Sequence, residues 1–348
     1  MPAKFILSKK ILTEQVKILE NLGLKISYSY KTNRIVGKVL QEIDAGKKID
    51  FSIHLKEEIN EINEKNKIWF FNQAESENQI KEMINLGVRN FVVDNEIDLE
   101  RLLTVIEETK VLINLSLRMK FREHRIGTGK YFVYGMASKK INEIISKIKD
   151  NPFIDQLGIH LHRKSQNTSE WEIKEEITDS LSNESLERIN FLNIGGGLPS
   201  FYRSSNVDNF NYIFGKIKEL KEWLNENSIS LIIEPGRFLA APCIKLETEI
   251  IQKYDNCLVL NTTIYNCAID TLITETKMLV EGELPDNEEG EFFLIKGNSP
   301  TRDDIFRYKV KLRKDIAVGD KIVFLNAGAY NYTTDFFGYK KLDTEIKE

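Results

Sequence analysis

Ile26-Ser27-Tyr28-Ser29-Tyr30-Lys31-Thr32-Asn33 is the stretch from which the rest of this 348-residue chain can be read. It reads as a short apolar strand with a lysine directly after it. An arbitrary lysine is ordinarily a solvated surface residue. A lysine that closes a buried strand is less ordinary, and its meaning depends on what lies at the ends of the other strands.

Seven further strand-like runs follow: Ile49–Ser52, Ile68–Phe71, Asn90–Val93, Val111–Leu117, Gln156–Leu161, Asn190–Ile194 and Leu231–Ile233. With Lys25–Tyr30 they make eight. Between them lie segments with helical periodicity, among them Ser76–Leu86, Glu96–Glu108, Ser138–Lys149 and Asn209–Asn227. Strict alternation of this kind favours a parallel sheet. A doubly wound open sheet would alternate in the same way. The count of eight, and the residues at the strand ends, tip the reading to a (β/α)8 barrel of TIM type.

In such a barrel the residues just past each strand converge on one face, where active sites lie. Here Lys31 follows the first strand, Asn72 the third and Arg118 closes the fifth. His162 follows the sixth, Gly195-Gly196-Gly197 the seventh and Glu234 the eighth. Polar and reactive residue types thus recur at one structural level. A lysine amine can condense with an aldehyde. A glycine run lets the backbone approach an anion with its N–H groups, and barrels commonly take phosphate after strands seven and eight. Beyond Arg237 the texture changes. Cys257–Ile264, Gly290–Lys296, Ile305–Leu312 and Lys321–Leu325 read as a C-terminal antiparallel β-domain, joined by residues around Phe5–Leu7. The expected division is a barrel over 20–240 and a β-domain from 1–19 plus 241–348.

Composition narrows the partners. Lys+Arg 49 against Asp+Glu 53 gives a net charge of -4, so no global field favours a nucleic acid polymer or an anionic membrane. Cys243, Cys257 and Cys267 form an odd set without metal-ligand spacing, which fits a reducing compartment and argues against a disulfide framework. No apolar run approaches the roughly 18 residues of a membrane span, and the N-terminus lacks a signal peptide's apolar core. A cytoplasmic protein is expected, with no metal. The charged tail after Tyr339 suits a natural end or a cut from a longer polypeptide.

Five segments, in this order and spacing, resemble the fold-type III pyridoxal-phosphate decarboxylases, the group that holds the ornithine, diaminopimelate and carboxynorspermidine enzymes. They are Ser29-Tyr30-Lys31-Thr32-Asn33, His160-Leu161-His162-Arg163-Lys164-Ser165-Gln166, Gly195-Gly196-Gly197, Glu234-Pro235-Gly236-Arg237 and Ala327-Gly328-Ala329-Tyr330. The resemblance runs over nearly the whole chain and implies pyridoxal 5'-phosphate as cofactor. It implies that Lys31 forms the Schiff base, that His162 stacks on the ring, and that Glu234 meets the pyridine nitrogen. Ser165, the three glycines, Gly236, Arg237 and Tyr330 would hold the phosphate region, and Arg118 would buttress the site. Apart from the resemblance, Arg237 could simply pair with Glu234, and His160 reads as structural. The family's homodimers complete each site in trans, and the segment Arg302-Asp303 would enter the partner's site.

Two departures bear on substrate. Arg302 stands where the resemblance leads one to expect a cysteine, and Thr262 where ornithine decarboxylases carry an aspartate. Lys164 stands where the resemblance leads one to expect a glycine, which would alter the local loop and bring an extra cation toward the phosphate. The exchanges at Thr262 and Arg302 disfavour a small dicationic amino acid and favour a larger or anionic substrate, met by Arg302, Asp303 and Thr262. They resemble the decarboxylase domains of microcin C maturation enzymes, which convert a 3-amino-3-carboxypropyl group on a peptidyl-nucleotide to aminopropyl. The alternatives are a decarboxylase of a free diamino acid (ornithine, lysine, diaminopimelate or carboxynorspermidine), an amino-acid racemase, and a non-catalytic cofactor-binding homologue.

Overall fold

The computed structural model describes residues 1–121, 134–205, 209–331 and 338–348. In chain order the strands are β1 (Lys4–Ser8), β2 (Lys25–Ser29), β3 (Asp50–Ile53), β4 (Ile68–Asn72), β5 (Asn90–Val93), β6 (Ile113–Lys120), β7 (Met136–Ala137), β8 (Ile154–His160), β9 (Phe191–Asn193) and β10 (Ser230–Ile233). β2–β6 and β8–β10 pair in parallel in the order β5-β4-β3-β2-β10-β9-β8-β6, and β5 pairs with β6 to close the ring. Those eight strands are the eight read from sequence, so the architecture is a TIM-type barrel. The short β7 adds on to β6.

The outer helices form for local reasons. In Glu96–Thr109, Asn95 caps the first turn through Asp98 N; Leu99, Leu102, Val105 and Ile106 make one buried stripe; Lys110 ends the helix in the left-handed region. On the strands, successive residues part company. Phe91 and Val93 join the main core under the helices, whereas Val92 joins Trp69, Phe191 and Ile232 in a separate cluster inside the barrel. Gly158 makes room for it, since a Cβ there would stand 2.3 Å from the Phe191 ring.

The second sheet is built from β11 (Ile244–Tyr254), β12 (Cys257–Leu260), β13 (Leu279–Val280), β14 (Glu291–Lys296), β15 (Ile305–Leu312), β16 (Lys321–Leu325) and β17 (Thr344–Lys347), with β1 laid against β11. It is mostly antiparallel; β12–β14 and β1–β17 run parallel. The longest strand, β11, was not among the segments read from sequence. Within the charged tail, Thr344–Lys347 form β17. Among the described residues no helix is long and apolar enough to cross a membrane.

Candidate active site

Lys31 sits in a single 3-10 turn, Tyr30–Thr32, at the C-terminal end of β2. The turn is pinned on both sides. The Tyr30 hydroxyl donates to Glu61 at 2.8 Å, and Asn33 caps the helix Arg34–Glu42 through Ile35 N and Val36 N. The Asn33 amide donates to Gly328 O at 2.8 Å, and Thr32 O accepts from Tyr330 N at 3.0 Å. With its neighbours tied inward, the lysine side chain is left facing a cavity of about 570 Å³. It is exposed to that cavity, and the surrounding protein atoms desolvate the amine in part. This desolvation lowers its pKa, against the pull of Glu234 and with help from Arg118. A lysine held toward its neutral form is a better nucleophile.

Glu234 is buried just past β10 and faces the same cavity. Ser52 Oγ donates to it at 2.7 Å, Asn193 Nδ2 at 3.0 Å, and His160 Nε2 lies 3.2 Å from its other oxygen. Burial pushes the carboxyl up, but the His160, Ser52 and Asn193 contacts outweigh it and hold the pKa at about 2. The site therefore presents a fixed carboxylate. Glu234 does not pair with Arg237, and His160 is part of the site rather than a bystander.

Arg237 is buried and takes Asp270 bidentately, at 2.6 and 3.1 Å. It also donates to the Tyr202 hydroxyl at 2.8 Å and to Ser165 Oγ at 3.3 Å, and it lies over the Tyr330 ring. The Tyr330 hydroxyl accepts from Thr32 Oγ1 at 3.3 Å. His162, half-buried, has its pKa pressed to about 3 by burial and then by His160 and Arg118, with Glu234 opposing. Its Nδ1 accepts from Gly196 N at 3.4 Å. Arg118 pairs with Asp94 at 3.1 Å and covers the Tyr134 ring.

Ten of the residues singled out in sequence line this one cavity: Lys31, Arg118, His162, Ser165, Gly196, Gly197, Glu234, Gly236, Arg237 and Tyr330. Gly195 lies immediately beside it. Asn72 does not line it; it is buried and donates to Asp98 O. Lys164 turns away to pair with Glu170. Thr262 is buried outside the cavity, its hydroxyl bonded to Asn266. Arg302 and Asp303 project from the exposed tip between β14 and β15, with side chains 93% and 62% exposed, and among the described residues those side chains pair with each other. The buried acid of that loop is the next residue, Asp304, which accepts from Ile264 N and Ser299 N.

Sequence reading missed Ser52, Asn193, His54, Phe71 and Asp270. Ser52 and Asn193 sit inside strands it identified, where a polar residue is itself a signal. His54 lies one residue past β3, at the level where catalytic types were sought, and packs on Phe71 at 4.5 Å between ring centres.

The donor set suits a phosphorylated aromatic aldehyde. Gly195 and Gly197 take φ of +65° and +106°. A Cβ at Gly195 would lie 2.2 Å from Leu161 O, and one at Gly197 3.1 Å from Lys164 O. Only bare backbone passes here, beside the Ser165, Arg237 and Tyr330 donors. A buried carboxylate, the His162 imidazole and a lysine share the remaining wall. This geometry has a counterpart in known proteins: residues 9–241 match the family described as pyridoxal-dependent decarboxylase, pyridoxal binding domain, and the chain belongs to that family. Its cofactor is pyridoxal phosphate. The chain is 24% identical over 251 residues to a diaminopimelate decarboxylase of Pseudomonas fluorescens, covering 67% of this chain and 58% of that protein. In fold it is similar to the lysine/ornithine decarboxylase of Vibrio vulnificus (20% identity, TM-score 0.77, 99% and 94% of the two chains). It is also similar to the diaminopimelate decarboxylase of Helicobacter pylori (16%, TM-score 0.82, 100% and 92%).

Proposed function

We propose that this chain is a pyridoxal-phosphate-dependent carboxy-lyase that removes the α-carboxylate of an amino-acid group carried on a larger or anionic substrate. The observation that carries the reaction class is Glu234, an ionised carboxylate fixed by three partners on the cavity that holds Lys31. When bound, the cofactor supplies an electron sink for the pair left behind as carbon dioxide departs. Glu234 would keep the cofactor's ring nitrogen protonated; the racemases of this fold place an arginine there. Lys31 would hold the cofactor through its amine, His162 would support the ring face, and Ser165, Gly196, Gly197, Arg237 and Tyr330 would take the phosphate.

Pairing within the cavity supports a substrate without a distal ammonium. The arginines Arg118 and Arg237 are paired with Asp94 and Asp270, and the two acids that line the cavity are Glu58 and Glu234. Glu58 already accepts from Arg34, His54 N and Leu55 N, so neither acid is free to meet a distal ammonium. A 3-amino-3-carboxypropyl group on a peptidyl-nucleotide fits this polarity. The competing reading, a free diamino acid, draws on the named activities of the relatives. A homodimer, with Arg302 and Asp303 of one copy reaching the other's cavity, accords with the exposure of that loop.

Borohydride reduction in the presence of pyridoxal phosphate should label Lys31 alone, and Lys31→Ala should take no label. Carbon dioxide release should be slow with ornithine, lysine, diaminopimelate and arginine, and fast with a nucleotide-linked amino acid. Rapid turnover of any free diamino acid would overturn the substrate class; a label elsewhere would overturn the enzyme.

A further inference from the structure

Between Glu234 and Lys31 one wall of the cavity is a row of rings. His160 Nε2 lies 3.2 Å from Glu234; the His160 and Phe71 rings meet edge to face, 5.0 Å between centres; Phe71 packs on His54 at 4.5 Å. His54 in turn faces Lys31. Burial presses its pKa down to about 4, and the lysine's charge is the next largest influence, with Arg118 and His160 acting the same way and Glu234 opposing. The imidazole is therefore neutral in the physiological range, with one N–H to give. Among the described residues neither of its ring nitrogens bonds to a protein group. Its backbone is held in place, since Glu58 accepts from His54 N at 3.0 Å and from Leu55 N at 3.2 Å, and Arg34 donates to Glu58 at 3.2 Å.

This row has the same order as one edge of the cofactor. Round pyridoxal phosphate from the ring nitrogen come a methyl group, the phenolic oxygen and the aldehyde carbon, with the phosphate arm on the far side. Round the cavity from Glu234 come Phe71, His54 and Lys31, while Ser165, Gly196, Gly197 and Arg237 follow β8, β9 and β10. In the barrel β2, which leads to Lys31, has β10 on one side and β3, which leads to His54, on the other. With nitrogen, aldehyde and phosphate assigned, a phenyl ring is left for the methyl group and a neutral imidazole for the phenolic oxygen. Arg118, another donor on this cavity, is held by Asp94 at 3.1 Å and lies over the Tyr134 ring.

We infer that His54 is a further cofactor-binding residue, its ring N–H donating to the phenolic oxygen of the pyridoxal ring. The inference rests on reading Lys31, Glu234 and the glycine run as the cofactor cradle, and not on the substrate. The probe is 3-deoxypyridoxal 5'-phosphate, which keeps the aldehyde, the nitrogen and the phosphate but lacks that oxygen. Calorimetric titration of the cofactor-free full chain at neutral pH gives its preference for pyridoxal phosphate over the analogue. His54→Phe keeps a ring against Phe71 and removes the donor. The preference should fall about tenfold from the parent's, as for the loss of one hydrogen bond to a charged oxygen. Whatever is intrinsic to the analogue affects both chains alike and cancels in the ratio. His54→Gln, which restores an N–H donor, should recover most of the preference. Equal preferences in the parent and His54→Phe would overturn the assignment. So would a preference lost as fully in His54→Gln, because that outcome belongs to packing alone. Borohydride labelling separates this failure from the wider one. Equal preferences with Lys31 labelled reject the role of His54 only, whereas no label at Lys31 in the parent rejects the cradle and His54 with it.

Discussion

Replacing Glu234 by Gln isolates the electrostatics on which the site depends. In the native chain this buried carboxyl has a pKa of about 2, against an ordinary 4.5, because His160, Ser52 and Asn193 together outweigh the cost of burial. A folded-state value below the unfolded one means that the native state gives up the proton more readily. The resulting stabilisation is complete above pH 4.5 and is lost as pH falls toward 2. The gap between 4.5 and about 2 amounts to about 3 kcal/mol, of which about 2 kcal/mol is gone by pH 3. Gln keeps an acceptor for Ser52 and Asn193, turns an amide NH2 toward His160, and does not titrate in this window. Urea denaturation at pH 7, 5, 4 and 3 should find the variant the less stable protein at pH 7, with the difference shrinking by about 2 kcal/mol at pH 3. A difference that stays constant from pH 7 to 3 would refute the account of a carboxylate held ionised by its three partners.

Two further outcomes follow from the same cavity. Asp270→Ala strips the bidentate partner from the buried Arg237 and should cost about 3–5 kcal/mol, lowering Tm by several degrees; a Tm near the parent's would mean that the pair carries no such load. His54 is pressed to about 4, chiefly by burial and then by Lys31 and Arg118, so the unfolded chain binds its proton first as pH drops below about 6.5. Stability should fall between pH 6.5 and 4, and His54→Gln should flatten that limb; parallel curves would count against the assignment.

The barrel was legible because a parallel strand covered on both faces leaves a run of apolar residues that little else produces. All eight runs lie within a few residues of the observed strands. β11 escaped notice although Ile244, Leu246, Thr248 and Ile250 alternate inward, because Lys245, Glu247 and Glu249 between them dilute its apolar character. The cavity was legible where a residue's place follows from the end of its own strand, as with Lys31 and Glu234. It was not legible where partners meet through the fold alone. Asp270 belongs to a four-residue helix beyond the barrel, and nothing in its neighbourhood marks it as the counterion of Arg237. Arg302 and Asp303 show the opposite limit. Their residue types invited a binding role, but the tip that carries them stands clear of this chain's own cavity.

The seam around Lys31 has one more consequence. Thr32 O and the Asn33 side chain are both fastened to the segment 328–330, which arrives from the far end of the chain after β16. The reactive turn is thus clamped by the second sheet, not by the barrel alone. A chimera that exchanged the second sheet would have to transplant Gly328–Tyr330 and Thr32–Asn33 as a matched set, or the lysine would lose its aim even with every barrel strand intact.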